Sequence, residues 1–299
     1  MPALRPSFGV GAPAEKAPAK INLTLRVLAR RSDGYHEIES LVAFASLADV
    51  LSFAPARILQ LVVRGPTAEL AGPIEDNLVL KAAQALAARI PGLKLGRFVL
   101  SKRLPVAAGL GGGSSDAAAA LRLLARANRI PLDDPRLLQA ARMTGADVPV
   151  CLDPRPRVMR GIGDILSDPL KLPRATIMLA NPGVMLATKE VFSALGIGSA
   201  CAARVSSPPP HGAARLNELI AIVSSFPNDL ERPAIALAPA IGDVLAALRS
   251  VAGCRLARMS GSGATCFALV ESARAAMAGA RSLRVAHPTW WVRTATLAD

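Results

Sequence analysis

Aromatic residues are scarce in this 299-residue chain, which holds seven Phe, two Trp and a single Tyr. A surface that binds single-stranded nucleic acid stacks bases on aromatics set among basic residues, so nucleic acid is not expected as a partner. Cysteine is sparse too. Cys151, Cys201, Cys254 and Cys266 form no CxxC pair, which argues against a zinc ribbon and against a disulfide scaffold; they read as reduced core thiols. Apolar runs are always broken by a charge or a turn former before the roughly 18 residues that a membrane span needs, so no membrane partner is expected. Near the start, Arg5, Glu15 and Lys16 mix with four prolines within the first 20 residues and no apolar core. That is not the pattern of a secretory signal, and the expected compartment is the cytoplasm. Acidic residues are outnumbered 22 to 35 by Lys and Arg, for a net charge of +13. The basic residues are scattered and mostly Arg, and a protein that handles small phosphorylated molecules accounts for them as well as a polyanion would.

What is present describes a folded protein. Apolar residues make up 52% and charged residues 19%, which excludes disorder as a description of the whole chain. The length suits one large domain or two ordinary ones. Residues 1–15 read as a loose Pro- and Ala-rich extension. Strands are expected at Lys20–Leu28, ending in a turn at Arg30–Gly34, then at Leu41–Phe53, Leu59–Arg64 and Phe98–Ser101. Helical spacing marks Asn77–Arg89, Ser114–Asn128 (with Ser114 or Ser115 placed to cap it) and Pro135–Thr144. A strand is expected after Asp147. Composition shifts at 153–173, which puts a domain boundary near 170 and divides the chain into 1–170 and 171–299. Beyond it, Thr176–Ala180, Arg255–Ser260, Thr265–Val270 and Trp290–Thr294 read as strands, and Lys189–Leu195, 214–225 and 233–251 as helices. Residues 196–213 read as a surface loop. No repeat is present, and the irregular mixture of elements favours an α+β class.

Five groups of residues could carry chemistry. In Pro105–Ser115 (PVAAGLGGGSS), Gly109, Gly111, Gly112 and Gly113 lead into an Ala-rich helix. Glycine lets a backbone approach an anion, and the N–H groups at a helix start hold it. The spacing is neither a Walker A loop nor a dinucleotide fingerprint. Asp147 stands beside Pro149 in GADVP, Lys20 and Asn22 share one strand face, and Asp33-Gly34-Tyr35-His36 joins the lone Tyr to one of three His. Met259–Ala264 (MSGSGA) is a second Gly-rich turn. Taken singly, each has a plain structural reading: a capped turn, a turn acid, a solvated lysine, a chance neighbour pair, a hairpin.

Together they resemble the GHMP small-molecule kinases. The resemblance rests on Pro18–Leu23 (PAKINL) with Arg31–His36 (RSDGYH), on Pro105–Ala117 with Gly145–Pro149, and on Met259–Ala264. Pairing PAKINL with DGYH is similar to the branch that acts on a cytidylated methylerythritol in non-mevalonate isoprenoid synthesis. The resemblance implies an N-terminal domain like ribosomal protein S5 domain 2 and a ferredoxin-like C-terminal domain, with the site between them. It implies ATP and Mg²⁺ as cofactors, with no metal ligand assigned. Pro105, Val106, Ala107, Ala108, Gly109, Leu110, Gly111, Gly112, Gly113, Ser114 and Ser115 would hold the nucleotide phosphates, and Asn77 would lie near adenosine. Asp147 would be the general base, and Lys20 would stabilise transition-state charge. Asn22 would bond near the reacting end, Tyr35 would stack on cytosine and His36 would bond its edge, with Thr188 and Phe192 completing that pocket. A monomer or weak homodimer is expected.

Overall fold

The computed structural model describes residues 12–196 and 211–298, so the expectations for residues 1–11, for most of the 196–213 loop and for Cys201 lie outside the described residues. In order, the strands are β1 (Ala14–Asn22), β2 (Arg26–Arg30), β3 (His36–Pro55), β4 (Gln60–Arg64), β5 (Gly96–Ser101), β6 (Arg157–Gly161), β7 (Ile165–Leu166), β8 (Ala175–Asn181), β9 (Cys254–Met259), β10 (Cys266–Val270) and β11 (Trp291–Ala298). The helices are α1 (Leu78–Ala87), α2 (Gly112–Asn128), α3 (Pro135–Thr144), α4 (Val148–Leu152), α5 (Thr188–Ala194), α6 (Leu216–Ser225), α7 (Glu231–Leu237), α8 (Ala240–Arg249) and α9 (Ala273–Ala286). One sheet runs β4-β5-β3-β11-β8-β10-β9, with β1, β2 and β6 also paired to β3. Among the pairs of described strands only β4–β5 is parallel, which agrees with the α+β expectation. Among the described residues, no helix is long and apolar enough to cross a membrane.

The apolar pattern sorts into three cores. One lies under α1, α2 and α3 and includes Phe44, Phe53, Phe98 and Leu121. A second lies under α7, α8 and α9 and includes Met178, Ile241 and Val292. The third draws on both halves, from Ile21 and Leu41 to Phe267 and Leu297.

Several boundaries differ from the sequence expectations. Ala14 and Glu15 belong to β1 rather than to a loose extension, because they pair with Ser52 and Leu51. The expected strand Lys20–Leu28 is two strands. Leu23 and Thr24 both donate their N–H to Leu41 O, and Thr24 Oγ1 accepts from Leu41 N–H, so the ladder is interrupted there. β3 begins five residues earlier than expected, at His36. Asp147 leads into the short helix α4 instead of a strand. The expected helix 233–251 is split into α7 and α8 by Pro239, which has no N–H to continue the first. β6, β7 and α9 were not expected. The stripe of α9 is carried by Ala276, Ala280 and Leu283, a weak apolar signal.

Candidate active site

Lys20 and Asn22 sit at i and i+2 on β1, and Ile21 and Leu23 between and beyond them are fully buried in the core. A register shift between Pro18 and Lys20 precedes the pair. Lys20 Nζ lies 2.7 Å from Asp147 Oδ2, and Lys20 N–H donates to Leu110 O at 2.9 Å. Asp147 is held at the start of α4, just after the α3 C-terminus. The lysine side chain is buried while the aspartate is 38% exposed, so the carboxylate faces open space and the ammonium lies behind it.

The glycine loop is fixed from the C-terminal half. Ser260 Oγ donates to Gly109 O at 2.9 Å, and Thr265 N–H donates to Ala108 O at 3.1 Å. Gly109 has φ +74°, and a Cβ there would fall 2.2 Å from Ser260 O. Neither Ser114 nor Ser115 caps α2. The cap position is Gly111, at φ +58°, with no side-chain hydrogen bond. Ser115 instead turns inward and donates its hydroxyl hydrogen to Pro18 O at 2.6 Å. The first N–H groups of α2 are thus left without a side-chain cap, and Gly111, Gly112, Gly113 and Ser114 line a cavity. That is the geometry of an anion site.

The cavity measures about 1150 Å³, generous for a single small ligand. Of the residues singled out in the sequence, it brings together Lys20, Asn22, Tyr35, His36, Ala107, Ala108, Gly109, Gly111, Gly112, Gly113, Ser114, Asp147, Thr188 and Phe192. Pro105, Val106, Leu110, Ser115 and Asn77 do not line it. Asn77 caps α1, its Oδ1 accepting from Val79 N–H at 3.0 Å. Asn22 donates one of its two amide hydrogens to Ser40 Oγ at 2.7 Å.

At the other end, the His36 and Phe192 rings stack with centroids 4.8 Å apart, and Tyr35 is 59% exposed. Burial and the nearby Arg30 charge hold the His36 pKa below its ordinary value, so the imidazole is neutral at pH 7. Thr188 Oγ1 and Ser262 Oγ are 2.9 Å apart, which ties α5 to the second glycine turn. Buried Asn228 braces that turn by donating to Met259 O and Gly261 O.

Sequence reasoning missed Asn228, and it also missed a buried charge cluster beneath the loop. Lys102 Nζ lies 2.6 Å from Asp49 Oδ2 and 2.9 Å from Asp116 Oδ2. An Asp directly after the serines at a helix start was a visible signal, but its lysine partner lies 14 residues earlier.

Known proteins match this chain in sequence and in fold. Residues 77–153 match the GHMP kinases N terminal domain and residues 211–285 the GHMP kinases C terminal domain. The 4-diphosphocytidyl-2-C-methyl-D-erythritol kinase of Xanthobacter autotrophicus is 56% identical over 289 residues, covering 94% of this chain and 98% of its own. The kinase of the same name from Methylobacterium radiotolerans is 58% identical over 282 residues, covering 93% and 97%. A crystal structure of 4-(cytidine 5'-diphospho)-2C-methyl-D-erythritol kinase superposes with TM-score 0.74 at 34% identity, covering 96% of this chain and 99% of that one. The homoserine kinase of Cytophaga hutchinsonii shares the fold, with TM-score 0.66 at 19% identity over 98% of each chain.

Proposed function

The chain belongs to the GHMP kinase family, and we propose that it transfers the γ-phosphoryl group of ATP to the 2-hydroxyl of 4-diphosphocytidyl-2-C-methyl-D-erythritol, a step of isoprenoid precursor synthesis. It is an ATP-dependent small-molecule kinase. The observation that carries the choice of substrate is the meeting, in one cavity, of the Lys20–Asp147 pair with the Tyr35, His36 and Phe192 cluster. Mevalonate and homoserine carry no nucleobase for such a cluster to hold.

Phosphoryl transfer is achieved mainly by positioning and by neutralising charge. The uncapped start of α2 supports a place for the nucleotide phosphates, with Ala107–Ser114 around them. As the substrate oxygen bonds to the γ-phosphorus and the bond to the leaving ADP oxygen breaks, Asp147 takes the hydroxyl proton. The Lys20 ammonium stabilises the negative charge of the transition state. Mg²⁺ would supply charge neutralisation at the nucleotide phosphates. Among the described residues no group of three or more His, Cys, Asp or Glu could hold a metal, which suits an ion carried chiefly by phosphate oxygens and water. Tyr35 stacks on the cytosine, and neutral His36 offers its edge both a donor and an acceptor. Thr188 and Phe192 close that pocket and Asn22 serves the reacting end, while Asn77, outside the cavity lining, would act on the adenosine side by capping α1.

We take residues 1–170 as the N-terminal domain, holding the phosphate loop and both catalytic residues, and 171–299 as the C-terminal domain. We take the enzyme to act in the cytoplasm as a monomer or weak homodimer. ADP release in the presence of ATP and Mg²⁺ tests the function, comparing the cytidylated methylerythritol with mevalonate, homoserine and galactose. Turnover confined to the first is expected; equal or absent turnover on all four would sink it.

A further inference from the structure

The charged residues lining the cavity do not balance. Asp147 is matched by Lys20 at 2.7 Å, and Asp33 shares Arg31 with Glu37, at 3.0 and 2.9 Å. His36 is neutral at pH 7, for the reasons given above. Two cations remain, Arg30 and Lys189. Both are exposed, and neither has a carboxylate partner among the described residues. Neither belongs to the motifs that mark the family resemblance.

Their placement is specific. Arg30 ends β2 and is the cross-strand partner of His36 on β3. Lys189 is the second residue of α5, three before Phe192, so the two share a helix face. Because His36 and Phe192 stack on each other, the two cations flank the ring cluster from opposite elements, one from the sheet and one from the helix. A cavity that leaves two positive side chains without a partner among the described residues favours an anionic ligand at that end. The backbone loop at Gly109–Ser114 lies at the nucleotide end.

We propose that Arg30 and Lys189 form a two-sided cationic clamp for the diphosphate of a cytidine-diphosphate ester, fixing the distance between its base and its reacting alcohol. The proposal rests on the functional reading above and adds the group that grips the middle of the substrate. Arg suits a phosphate through its paired N–H donors, and Lys adds a mobile point charge. The clamp would select diphosphate esters of cytidine over the free nucleoside.

The test is calorimetric titration with CDP and with cytidine, in the presence of a saturating non-hydrolysable ATP analogue that occupies the nucleotide loop. It uses the wild-type chain, Arg30→Ala, Lys189→Ala and the double variant, each checked by thermal melting. Wild type should bind CDP about 10- to 100-fold more tightly than cytidine, and that preference should shrink with added salt. Each single variant should weaken CDP about three- to ten-fold, a scale lowered for solvent exposure. The double variant should bind CDP no better than cytidine, while its cytidine affinity is unchanged. Arg30→Lys should recover part of the preference. A double variant that still prefers CDP would overturn the clamp and leave the cytidine pocket standing. A wild-type protein that binds neither ligand would overturn the pocket itself, and the clamp with it.

Discussion

Asp116 Oδ2 lies 2.9 Å from Lys102 Nζ, while its other oxygen is buried without any hydrogen-bond partner. The same ammonium also serves Asp49, whose Oδ1 accepts from the Arg103 and Leu104 N–H groups. Two buried carboxylates therefore share one lysine directly under the glycine loop, where a Cβ on Gly112 would stand 3.5 Å from Lys102 Nζ. Burial works to lower the Lys102 pKa, but the Asp116 and Asp49 charges outweigh it and leave it raised.

This cluster predicts a pH-dependent stability. Burial, with a further contribution from Asp49, pushes the Asp116 carboxyl up to about 7 against the pull of Lys102. An unfolded Asp titrates near pH 4. Between about pH 4 and 7 the native state thus holds a proton that the unfolded chain has released, so this contribution to stability falls as pH rises through that window. Denaturant titrations of wild type and Asp116→Asn at pH 5 and pH 8 should show a larger loss on going to pH 8 in wild type. An equal pH response in both would mean that Asp116 is already ionised at pH 5.

The two ends of the glycine loop should respond differently to a methyl group. At Gly109 an Ala would adopt a left-handed φ and meet Ser260 O at 2.2 Å, so about 1–3 kcal/mol of stability should be lost along with nucleotide binding. At Gly112 φ is not positive, and the nearest atoms, on Lys102 and Leu104, are 3.5–3.7 Å away. Gly112→Ala should melt within a few degrees of wild type and keep ATP affinity within about three-fold. Equal damage at both positions would show that the loop, and not the Ser260 contact, sets the requirement for glycine.

Asp147 and Lys20 can be separated by their kinetics. Asp147→Asn should retain the fold and ATP affinity and lose about 10²- to 10⁴-fold in kcat. Lys20→Met should lower kcat more than it raises KM, because its charge acts most strongly in the transition state. If Lys20→Met changes KM alone, the lysine binds the ground state and another group stabilises the transferring phosphoryl.

Much of the site was visible in the sequence because its parts are local. Lys20 and Asn22 share a face through the two-residue period of a strand, and the glycines and the helix they enter are contiguous. What was not visible depends on distant partners. Ser115 reads as a cap until Pro18 O is seen to take its hydroxyl, which leaves the helix start open. Ser260 and Asn228 act through contacts that cross 151 and 31 residues of chain. Pro239 was readable as a helix break. α9 was hidden because alanines carry its buried stripe, and alanine marks a helix without marking which side is buried.

The base pocket yields the prediction that separates this kinase from relatives acting on smaller alcohols. Tyr35 is 59% exposed beside the stacked His36 and Phe192 rings, so its ring is free to cover a ligand without breaking the core. A stacked base is worth roughly 1–3 kcal/mol by alanine substitution in single-strand binding proteins, and the same scale applies to one cytosine. Tyr35→Ala should therefore weaken the cytidylated substrate about five- to 150-fold and leave ATP affinity nearly constant, as read by calorimetry with each ligand. Tyr35→Phe keeps the ring and should cost far less. His36→Ala should narrow the preference for cytosine over uracil, since an edge hydrogen bond is what distinguishes those bases. Phe192→Ala should reproduce part of the Tyr35→Ala loss, because His36 would lose the ring that orients it. If Tyr35→Ala leaves the Kd of the cytidylated substrate unchanged, the cytosine does not sit in this pocket, and a kinase of another alcohol becomes the better description.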